Sequence, residues 1–435
     1  MPCNGQPPAV VLAQPTDQSV VAIVRPVYNV YDVAFEFGTS PGALRQSTAA
    51  QALAGNVSEK ILINGLSPST RYFYRMTFSY DTANCTAVQS TEAFFFSTAA
   101  AKGQAFSFVV TSDTHWGDSW EPSTLETTLE SILLEAGAGE AQFMLELGDT
   151  FMGEKLDLSA ESIHKPYQDL FNHYYSTVCH SLPLYLVTGN HEGENGWELE
   201  GEDSRPVFTA RARKLYYANP EPDEFYSGNE DVPFESLGLL GDYYSWEWGD
   251  ALFVALDPFW YTVDKPGSNA CTDNPGWCFT LGEQQYTWLY EVLSRSSATF
   301  KYVFLHNLVG GTFGNETDRA YTGAGDASWA QYFEWGGYDE DGTYRFNEMR
   351  PGWFNLSIHE ILVETGVQVV FRGHDHFWSQ TELDGVVYQG VPRPSFGKSA
   401  DVFTASLKGY DPADVLEDGG YLSVSVNATC TGVGF

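Results

Sequence analysis

The sequence contains few basic residues, and this scarcity excludes several kinds of partner. Its 435 residues include 22 lysines and arginines against 57 aspartates and glutamates, which gives a formal net charge of −35. A field of this sign repels nucleic acid and anionic membrane surfaces, so we expect the protein to bind neither. It also repels phosphate-like ligands at long range, so a site for such an anion needs strong positive charge of its own.

Long apolar runs are also absent. No uninterrupted apolar stretch approaches the roughly 18 residues that a membrane-spanning helix needs, so we expect no membrane insertion. The start, "MPCNGQPPAVV", lacks the basic and long apolar regions of a signal peptide. We favour a secreted or periplasmic protein whose signal peptide has been removed; the alternative is a protein that is not exported.

Cysteine is scarce, since the chain has 6 and none lies in a CxxC pattern. The short segment "CTDNPGWC" indicates a local disulfide, although six cysteines allow 15 pairings in principle. We predict three disulfides, joining Cys271 to Cys278, Cys3 to Cys85 and Cys179 to Cys430. Such bridges would require an oxidising compartment. The alternative is a set of buried free thiols.

Residues 20 to 98 have the composition of an all-β region. Short stretches rich in β-branched and aromatic residues alternate there with glycine, proline, serine and asparagine, as in a small antiparallel sandwich. The piece "LINGLSPSTRYFYRMTF" resembles fibronectin type III domains. We expect a structural appendage; a docking module is the alternative. A small-residue linker over 97–105 predicts a boundary between domains spanning 1–100 and 104–435.

The pattern changes after this linker to strands that alternate with helices, which indicates an α/β domain. The stretches "STLETTLESILLEAGAG", "GEQQYTWLYEVLS" and "LSIHEILVET" predict helices, and "DYYSWEWGDALFVALDP" predicts a hairpin. Residues 193–238 and 310–352 lack clear periodicity. We expect these two segments to form lids or binding loops.

Five short polar motifs follow predicted strands of this domain. They contain Asp113 and His115 in "SDTH", Asp149 in "LGDT", Asn190, His191 and Glu192 in "GNHE", His306 in "FLHN", and His374 and His376 in "GHDH". A single strand-end histidine is more often structural, but five of the 9 histidines fall within these motifs. Because ligands gather at the carboxyl ends of strands in α/β sheets, these side chains are expected to converge.

The residue types in these motifs are typical metal ligands. Imidazole, carboxylate and amide donors together suit zinc, iron or manganese, and the absence of cysteine argues against a structural zinc finger. Seven candidate ligands are too many for one ion but suit two ions about 3.5–4 Å apart. We expect the carboxylate of Asp149 to bridge them.

The motif series D-x-H, G-D, G-N-H-E, a strand-end histidine and G-H-x-H resembles the calcineurin-like metallophosphoesterases over roughly residues 104 to 400. The β-rich start and "YYSWEWGDALFVALD" resemble the purple acid phosphatase branch in particular. The resemblance implies an α/β fold, a four-layer α/β/β/α sandwich preceded by a small all-β, fibronectin III-like sandwich.

The resemblance also implies roles for the motif residues. One ion would be held by Asp113, His115 and His376, and the other by Asn190, His306 and His374. Asp149 would bridge the two ions, and His191 would act beside them as proton donor or oxyanion stabiliser. Asn190 and His191 would also contact the substrate, while Glu192 would orient His191 or a ligand.

The implied function is hydrolysis of a small phosphoester at two divalent or trivalent metal ions, iron, zinc or manganese, which supply hydroxide near neutral pH. We expect a secreted phosphomonoesterase; a phosphodiesterase or nucleotide hydrolase, and a non-catalytic binding or adhesion protein, are the alternatives. In one respect the chain departs from the purple enzymes. Met152 stands where they have a tyrosine, so we expect a colourless protein and doubt a ferric ion.

Overall fold

The computed structural model describes residues 6–80, 88–266, 274–310, 323–398, 402–427 and 430–434. Within these ranges the strands are β1 (Ala9–Ala13), β2 (Ser19–Arg25), β3 (Val30–Gly38), β4 (Gln46–Ser47), β5 (Gln51–Leu53), β6 (Glu59–Asn64), β7 (Arg71–Ser79), β8 (Gln89–Ser90), β9 (Phe94–Ser97), β10 (Phe106–Thr111), β11 (Met144–Glu146), β12 (Leu184–Leu186), β13 (Ser227–Gly228), β14 (Tyr244–Trp248), β15 (Ala251–Ala255), β16 (Phe300–Leu305), β17 (Val369–Arg372), β18 (Trp378–Leu383), β19 (Val386–Gly390), β20 (Val415–Leu416), β21 (Leu422–Val426) and β22 (Thr431–Gly434). The α-helices are α1 (Pro122–Ala138), α2 (Ala160–Leu170), α3 (Ser176–Val178), α4 (Arg205–Tyr216), α5 (Glu283–Arg295), α6 (Phe333–Gly336), α7 (Phe346–Met349), α8 (Ile358–Thr365) and α9 (Val402–Leu407).

Two eight-stranded sheets form the centre of the molecule. The first has the strand order β22-β21-β10-β11-β12-β1-β2-β6, and the second has the order β13-β14-β15-β16-β17-β19-β18-β20. Strands β10, β11 and β12 are parallel to one another, as are β15, β16, β17 and β19. The loops that follow these parallel strands therefore emerge at a common edge of each sheet.

The strands alternate between two apolar cores because successive side chains point to opposite faces of a sheet. On β10, Phe108 packs in the core between the two sheets, whereas Val109 packs with α1 and α2. On β15, Phe253 lies in the same inter-sheet core, and Val254 packs with α5 and α8. The layers are thus helix, sheet, sheet and helix, which confirms the predicted four-layer α/β/β/α sandwich.

The N-terminal region is all-β, as predicted, and it shares strands with the first large sheet. A third sheet, with the order β4-β3-β7-β8 and with β5 and β9 at its sides, packs on β1, β2 and β6. On β1, Val10 and Leu12 face this N-terminal core, while Val11 and Ala13 face the core that contains the helices of the α/β region. Strand β1, before the predicted linker, pairs with β12, after it, in one sheet. The division into domains 1–100 and 104–435 therefore stays a prediction.

The helices and the hairpin predicted from periodicity are present as α1, α5, α8 and the antiparallel pair β14–β15. Local signals set their ends: α8 begins with a capping box between Ser357 and Glu360, and α1 ends at Gly139 with φ 87°. The prediction of a loop over 193–238 is wrong in part, because α4 lies within it. That helix buries Arg213 on its inner face, so its buried positions do not form the purely apolar pattern that predicts a helix.

One of the three predicted disulfides is absent among the described residues. Cys179 is a buried free thiol and Cys430 is an exposed one, so their predicted pairing is wrong. Cys179 instead packs with apolar side chains of the helix-facing core. The other two pairings involve Cys3, Cys85 and Cys271, which lie outside the described residues, and both stay predictions. Among the described residues, none of the helices combines the length and hydropathy needed to cross a membrane.

Candidate metal centre

The side chains of the five motifs converge at the carboxyl ends of the parallel strands. Asp113 and His115 follow β10, Asp149 follows β11, and the GNHE motif follows β12. The second sheet contributes from the ends of β16 and β17. Ligand-type atoms lie within 4.8 Å of one another in two groups, made of Asp113, His115 and His376, and of Asp149, His306 and His374.

The carboxylate of Asp149, a member of the second group, also lies close to the first. Its Oδ2 is 3.0 Å from Nε2 of His306, 4.0 Å from Nε2 of His115 and 3.8 Å from Nε2 of His191. Its other oxygen, Oδ1, accepts a hydrogen bond of 2.8 Å from the backbone N–H of His191. One oxygen of Asp149 therefore faces both groups, while the other anchors the carboxylate.

Several polar atoms at this point are buried without a hydrogen-bond partner. They are Oδ1 of Asp113, Nε2 of His115, Oδ1 of Asn190 and Nε2 of His306. A buried polar atom without a partner costs free energy, and native proteins contain few of them. Two carboxylates, an amide oxygen and imidazole nitrogens form a donor set that suits cations. The residues present thus fit a metal centre.

Hydrogen bonds to the opposite ring nitrogen leave two of the imidazoles ready for a cation. Nδ1 of His306 is 2.8 Å from the carbonyl oxygen of Leu147, so the proton on this nitrogen is donated to the backbone. Nδ1 of His115 is 3.1 Å from Sδ of Met152. A bond of this kind at one nitrogen fixes the tautomer and directs the lone pair of Nε2 toward the site.

The backbone of these loops is strained at the candidate ligands. Five of them have φ in the left-handed region, between 48° and 72°: Asp113, His115, Asp149, His374 and His376. Non-glycine residues seldom adopt this conformation, and such strain clusters at functional sites. Gly373 permits the crowding, because a Cβ at that position would collide with the side chains of Ser112 and Asp113.

Glu192 holds two of the loops together. Its carboxylate accepts hydrogen bonds from the backbone N–H of Asp149 at 2.9 Å, of Thr150 at 2.7 Å and of Gly189 at 2.6 Å, and from the hydroxyl of Thr150 at 2.8 Å. The sequence predicted that Glu192 orients either His191 or a ligand. The contacts assign it to the backbone of Asp149 rather than to the imidazole of His191.

The partner of His191 is Glu154, a residue that the sequence analysis missed. Nδ1 of His191 is 2.9 Å from Oε1 of Glu154, and the opposite edge of the ring faces Asp149. Burial lowers the pKa of His191, but the two carboxylates outweigh burial and raise it to about 9. Glu154 is one of 57 acidic residues and lies outside the motifs, so no sequence signal distinguishes it.

Asp375, between the two histidines of the GHDH motif, fixes that turn through contacts with residues outside the motif. Its carboxylate accepts hydrogen bonds from Nζ of Lys408 at 2.7 Å, from the hydroxyl of Tyr410 at 2.6 Å and from the N–H of Gly325 at 3.0 Å. Burial raises the pKa of Asp375, but Lys408 and Arg372 outweigh burial and hold it well below its usual range. The residue positions the loop and is not itself a candidate ligand.

A cavity of about 270 Å³ opens beside the second group of ligands. Asn190, His191 and His374 are part of its lining. The lining also contains rings and charged side chains, namely Trp197, Phe259, Phe279, Lys265, Glu154 and Glu198. An apolar wall next to a few convergent polar groups is typical of small-molecule sites.

Residues 106–377, more than half of the chain, match the family model for the calcineurin-like phosphoesterases. The chain belongs to this family. The predicted resemblance is therefore confirmed, and the chain is a metal-dependent phosphoester hydrolase. No protein with a curated description matches the sequence.

The calcineurin-like phosphoesterase fold is shared with solved structures of low sequence identity. PhoD is similar with a TM-score of 0.63 and 14% identity, over 98% of this chain and 88% of that one. The purple acid phosphatase PPD1 from yellow lupin (Lupinus luteus) seeds is similar with a TM-score of 0.59 and 14% identity, over 98% of this chain and 71% of that one. These likenesses extend the shared fold over the N-terminal all-β region as well.

Proposed function

We propose that this phosphoesterase is a phosphomonoesterase with two metal ions that share the carboxylate of Asp149. The observation that supports this proposal is the position of Oδ2 of Asp149 close to both groups of candidate ligands. In the proposed assignment one ion is held by Asp113, His115 and His376, and the other by Asn190, His306 and His374. Iron, zinc and manganese all suit these donors.

Two bound cations of this kind polarise a phosphoryl group and make hydroxide available near neutral pH. The chain's own residues orient the substrate and manage the proton. His191 is proposed to donate a proton from Nε2 to the leaving oxygen, since this nitrogen lies on the edge of the ring that faces Asp149. Glu154 holds Nδ1 on the opposite edge and so fixes the direction of the ring.

The cavity supports a monoester with one organic substituent. Among the described residues it forms one apolar compartment, walled by Trp197, Phe259 and Phe279, beside Asn190 and His191. A phosphomonoester has one organic group to place, and aromatic walls bind planar apolar groups well. The positive side chain of Lys265 lies on the same wall and offsets part of the acidic surroundings.

Rates on an aryl phosphomonoester and on the matching diester test this proposal. We expect a larger kcat/KM for the monoester, in protein whose metal content by elemental analysis is close to two ions per chain. A larger value for the diester would replace the proposal by a phosphodiesterase or nucleotide hydrolase at the same site. A metal content near zero in active protein would contradict the two-metal assignment.

We also propose that the protein is exported and that its N-terminal region is a structural, fibronectin III-like domain of about residues 1–100. The predicted bridge between Cys271 and Cys278 supports export. The packing of β1 in two cores supports a structural role for the region. Peptide mass mapping without reduction tests the bridge, and cell fractionation tests the location.

The methionine at position 152 supports a colourless centre, which a visible absorption spectrum of metal-loaded protein would check.

A further inference from the structure

A second cavity, of about 430 Å³, lies between the N-terminal strands and the helices of the first layer. Its walls include Arg25 at the end of β2, Phe94 at the start of β9, and Asn172, His173 and Ser176 near α3. None of the residues that line it is a candidate metal ligand, and none lines the cavity beside the metal centre. It is therefore separate from the proposed catalytic site.

Arg25, which is almost fully buried, lines this cavity. The residue is 4% exposed, and its Nε has no hydrogen-bond partner. Among the described residues no carboxylate lies within salt-bridge distance of the guanidinium, and its Cζ lies 5.9 Å from the centroid of the Tyr216 ring. An anionic ligand in the cavity would supply the guanidinium with the charged partner that the described side chains do not provide.

The direction of the side chain follows from the pleat of β2. Val20, Ala22 and Val24 point into the N-terminal core, and Ile23 points to the helix side. Arg25 shares the face of Ile23, so it projects toward the helices rather than toward the N-terminal core. Its location inside the molecule is thus a consequence of the strand register.

The opposite wall of the cavity is an unusual turn of helix. Asn172 and His173 belong to a π-helical segment, Phe171–Tyr175, that joins α2 to α3. Such turns are rare and occur frequently at functional sites. The segment offers an amide and an imidazole to the cavity, and the side chain of Ser176 follows it.

The remaining groups of the cavity do not neutralise Arg25. His180 stacks on Phe94 at 4.0 Å between ring centroids, and burial lowers its pKa to about 4, so it is neutral near pH 7. Glu92 also lines the cavity but is exposed at its rim, where solvent screens its charge. Arg25 is therefore the buried one of the two, and its positive charge contrasts with the acidic composition of the protein.

We propose that this cavity binds a small oxyanion, a phosphate or a carboxylate, through the guanidinium of Arg25. The fork of donors on arginine matches the paired oxygens of both groups, and charge-assisted pairs of this type are among the stronger hydrogen bonds. The apolar wall formed by Phe94, Pro7 and Pro8 accommodates an organic substituent on the anion. The proposal does not rest on the catalytic function proposed above.

The test compares thermal unfolding of the full chain in potassium phosphate, potassium acetate and potassium chloride at equal ionic strength. We expect Tm of the native protein to rise with phosphate in a saturable way. In Arg25→Met the phosphate concentration that gives half of the maximal rise in Tm should increase about tenfold or more, because a charge-assisted pair is lost. Arg75→Met is the control, since Arg75 is exposed and pairs with Glu36 at 2.6 Å.

Phosphate bound at the metal centre would raise Tm equally in all three proteins, so the difference between Arg25→Met and Arg75→Met isolates the second cavity. If Arg25→Met loses the rise in Tm with phosphate but not with acetate, the ligand is a phosphate. If it loses the rise with both anions, the cavity binds oxyanions in general. Identical titrations for the native protein and Arg25→Met would overturn the proposal. If Arg25→Met does not fold, Arg25→Lys, which keeps the charge without the fork, should weaken the phosphate response; an unchanged response there overturns the proposal equally.

Discussion

Two buried clusters of charged residues, the pair of Arg213 with Glu194 and the candidate metal centre, are organised in opposite ways. In one, Arg213 donates to both oxygens of Glu194, at 2.6 and 2.9 Å, and its remaining donors meet the carbonyl oxygens of Leu240 and Gly241. In the other, the candidate metal centre, Oδ1 of Asp113 and Nε2 of His115 and of His306 are buried without a hydrogen-bond partner. Burial and charge are common to both, so neither property by itself marks a functional site.

The two clusters differ in closure, meaning whether the protein itself supplies a partner for every buried charge. The pair of Arg213 and Glu194 satisfies its own charges, so it needs nothing from outside the protein. The metal centre brings Asp113 and Asp149 together with imidazoles whose free nitrogens face the same point, and it does so on left-handed backbone. Unpaired buried atoms held by strained backbone indicate a ligand that completes the cluster.

The largest expected effect is that of Asp149→Ala. Removal of the shared carboxylate should lower both metal content and kcat/KM, the latter by about 10³-fold or more, since two cations supply several kcal/mol of charge stabilisation. Elemental analysis and a phosphoester assay on the same preparation measure both quantities. Asp157→Ala, at an exposed acid in the following loop, is the control. Full metal content together with full activity in Asp149→Ala would end the bridging proposal.

His191→Ala tests the group that faces the centre without belonging to either set of ligands. General acid catalysis contributes typically 10²–10⁴-fold, so we expect a loss in this range for substrates with poor leaving groups and a smaller loss for good ones. A leaving-group series of aryl phosphates measures the difference. Glu154→Gln should produce a weaker version of the same trend, because the ring loses its anchor. An equal loss across the series would refute the proton-donor role.

Arg213→Met tests the closed cluster. It leaves the buried carboxylate of Glu194 unpaired, which should lower the free energy of unfolding by roughly 3–5 kcal/mol. Metal content and the ratio of rates on different substrates should stay unchanged in the folded fraction. Arg211→Met on the same helix is the matched control, because Arg211 is exposed and its pair with Glu202 spans 3.7 Å. Denaturant titration of both variants measures the comparison, and equal destabilisation by the two would contradict it.

Asp375→Asn probes the support beneath one metal-binding loop. The carboxylate pairs with Lys408 and Arg372, and its loss should loosen the turn that presents His374 and His376. Outer groups of this kind typically change metal affinity by about 10–100-fold. Competition with a chelator measures the affinity, and Asp169→Asn, from an exposed pair on α2, is the control. Equal affinities in the two variants would remove Asp375 from the metal centre's support.

Glu146→Gln concerns a third kind of buried acidic group, and its expected effect is confined to the pH dependence of stability. Burial raises the pKa of Glu146 to about 8, even though Thr111 and Tyr174 donate hydrogen bonds to it. The native state therefore keeps a proton that the unfolded state, with a pKa of about 4.3, releases, so stability falls as pH rises between these values. The slope is at most about 1.4 kcal/mol per pH unit. Unfolding curves from pH 5 to 8 should be flatter for Glu146→Gln; an unchanged slope would contradict this assignment.

Much of the α/β region could be predicted because its signals are local. Apolar periodicity identified α1, α5 and α8, and the short polar motifs identified each strand end that supplies a candidate ligand. The α4 helix escaped prediction because its buried face includes Arg213, which only a partner distant in sequence, Glu194, makes compatible with burial. The pairing of Cys179 with Cys430 failed for a similar reason, since proximity along domain ends says little about distance in space.

Residue types, their spacing and their order along the chain determined by themselves the family, the layered fold class and the identity of the candidate ligands. The tertiary structure alone decided which of these atoms lie close enough to share a cation, that Glu154 rather than Glu192 holds His191, and that Arg25 is buried beside an open cavity. The physical reason is that motifs are encoded by neighbours in sequence, whereas closure of a charged cluster depends on residues brought together only when the sheets and helices pack.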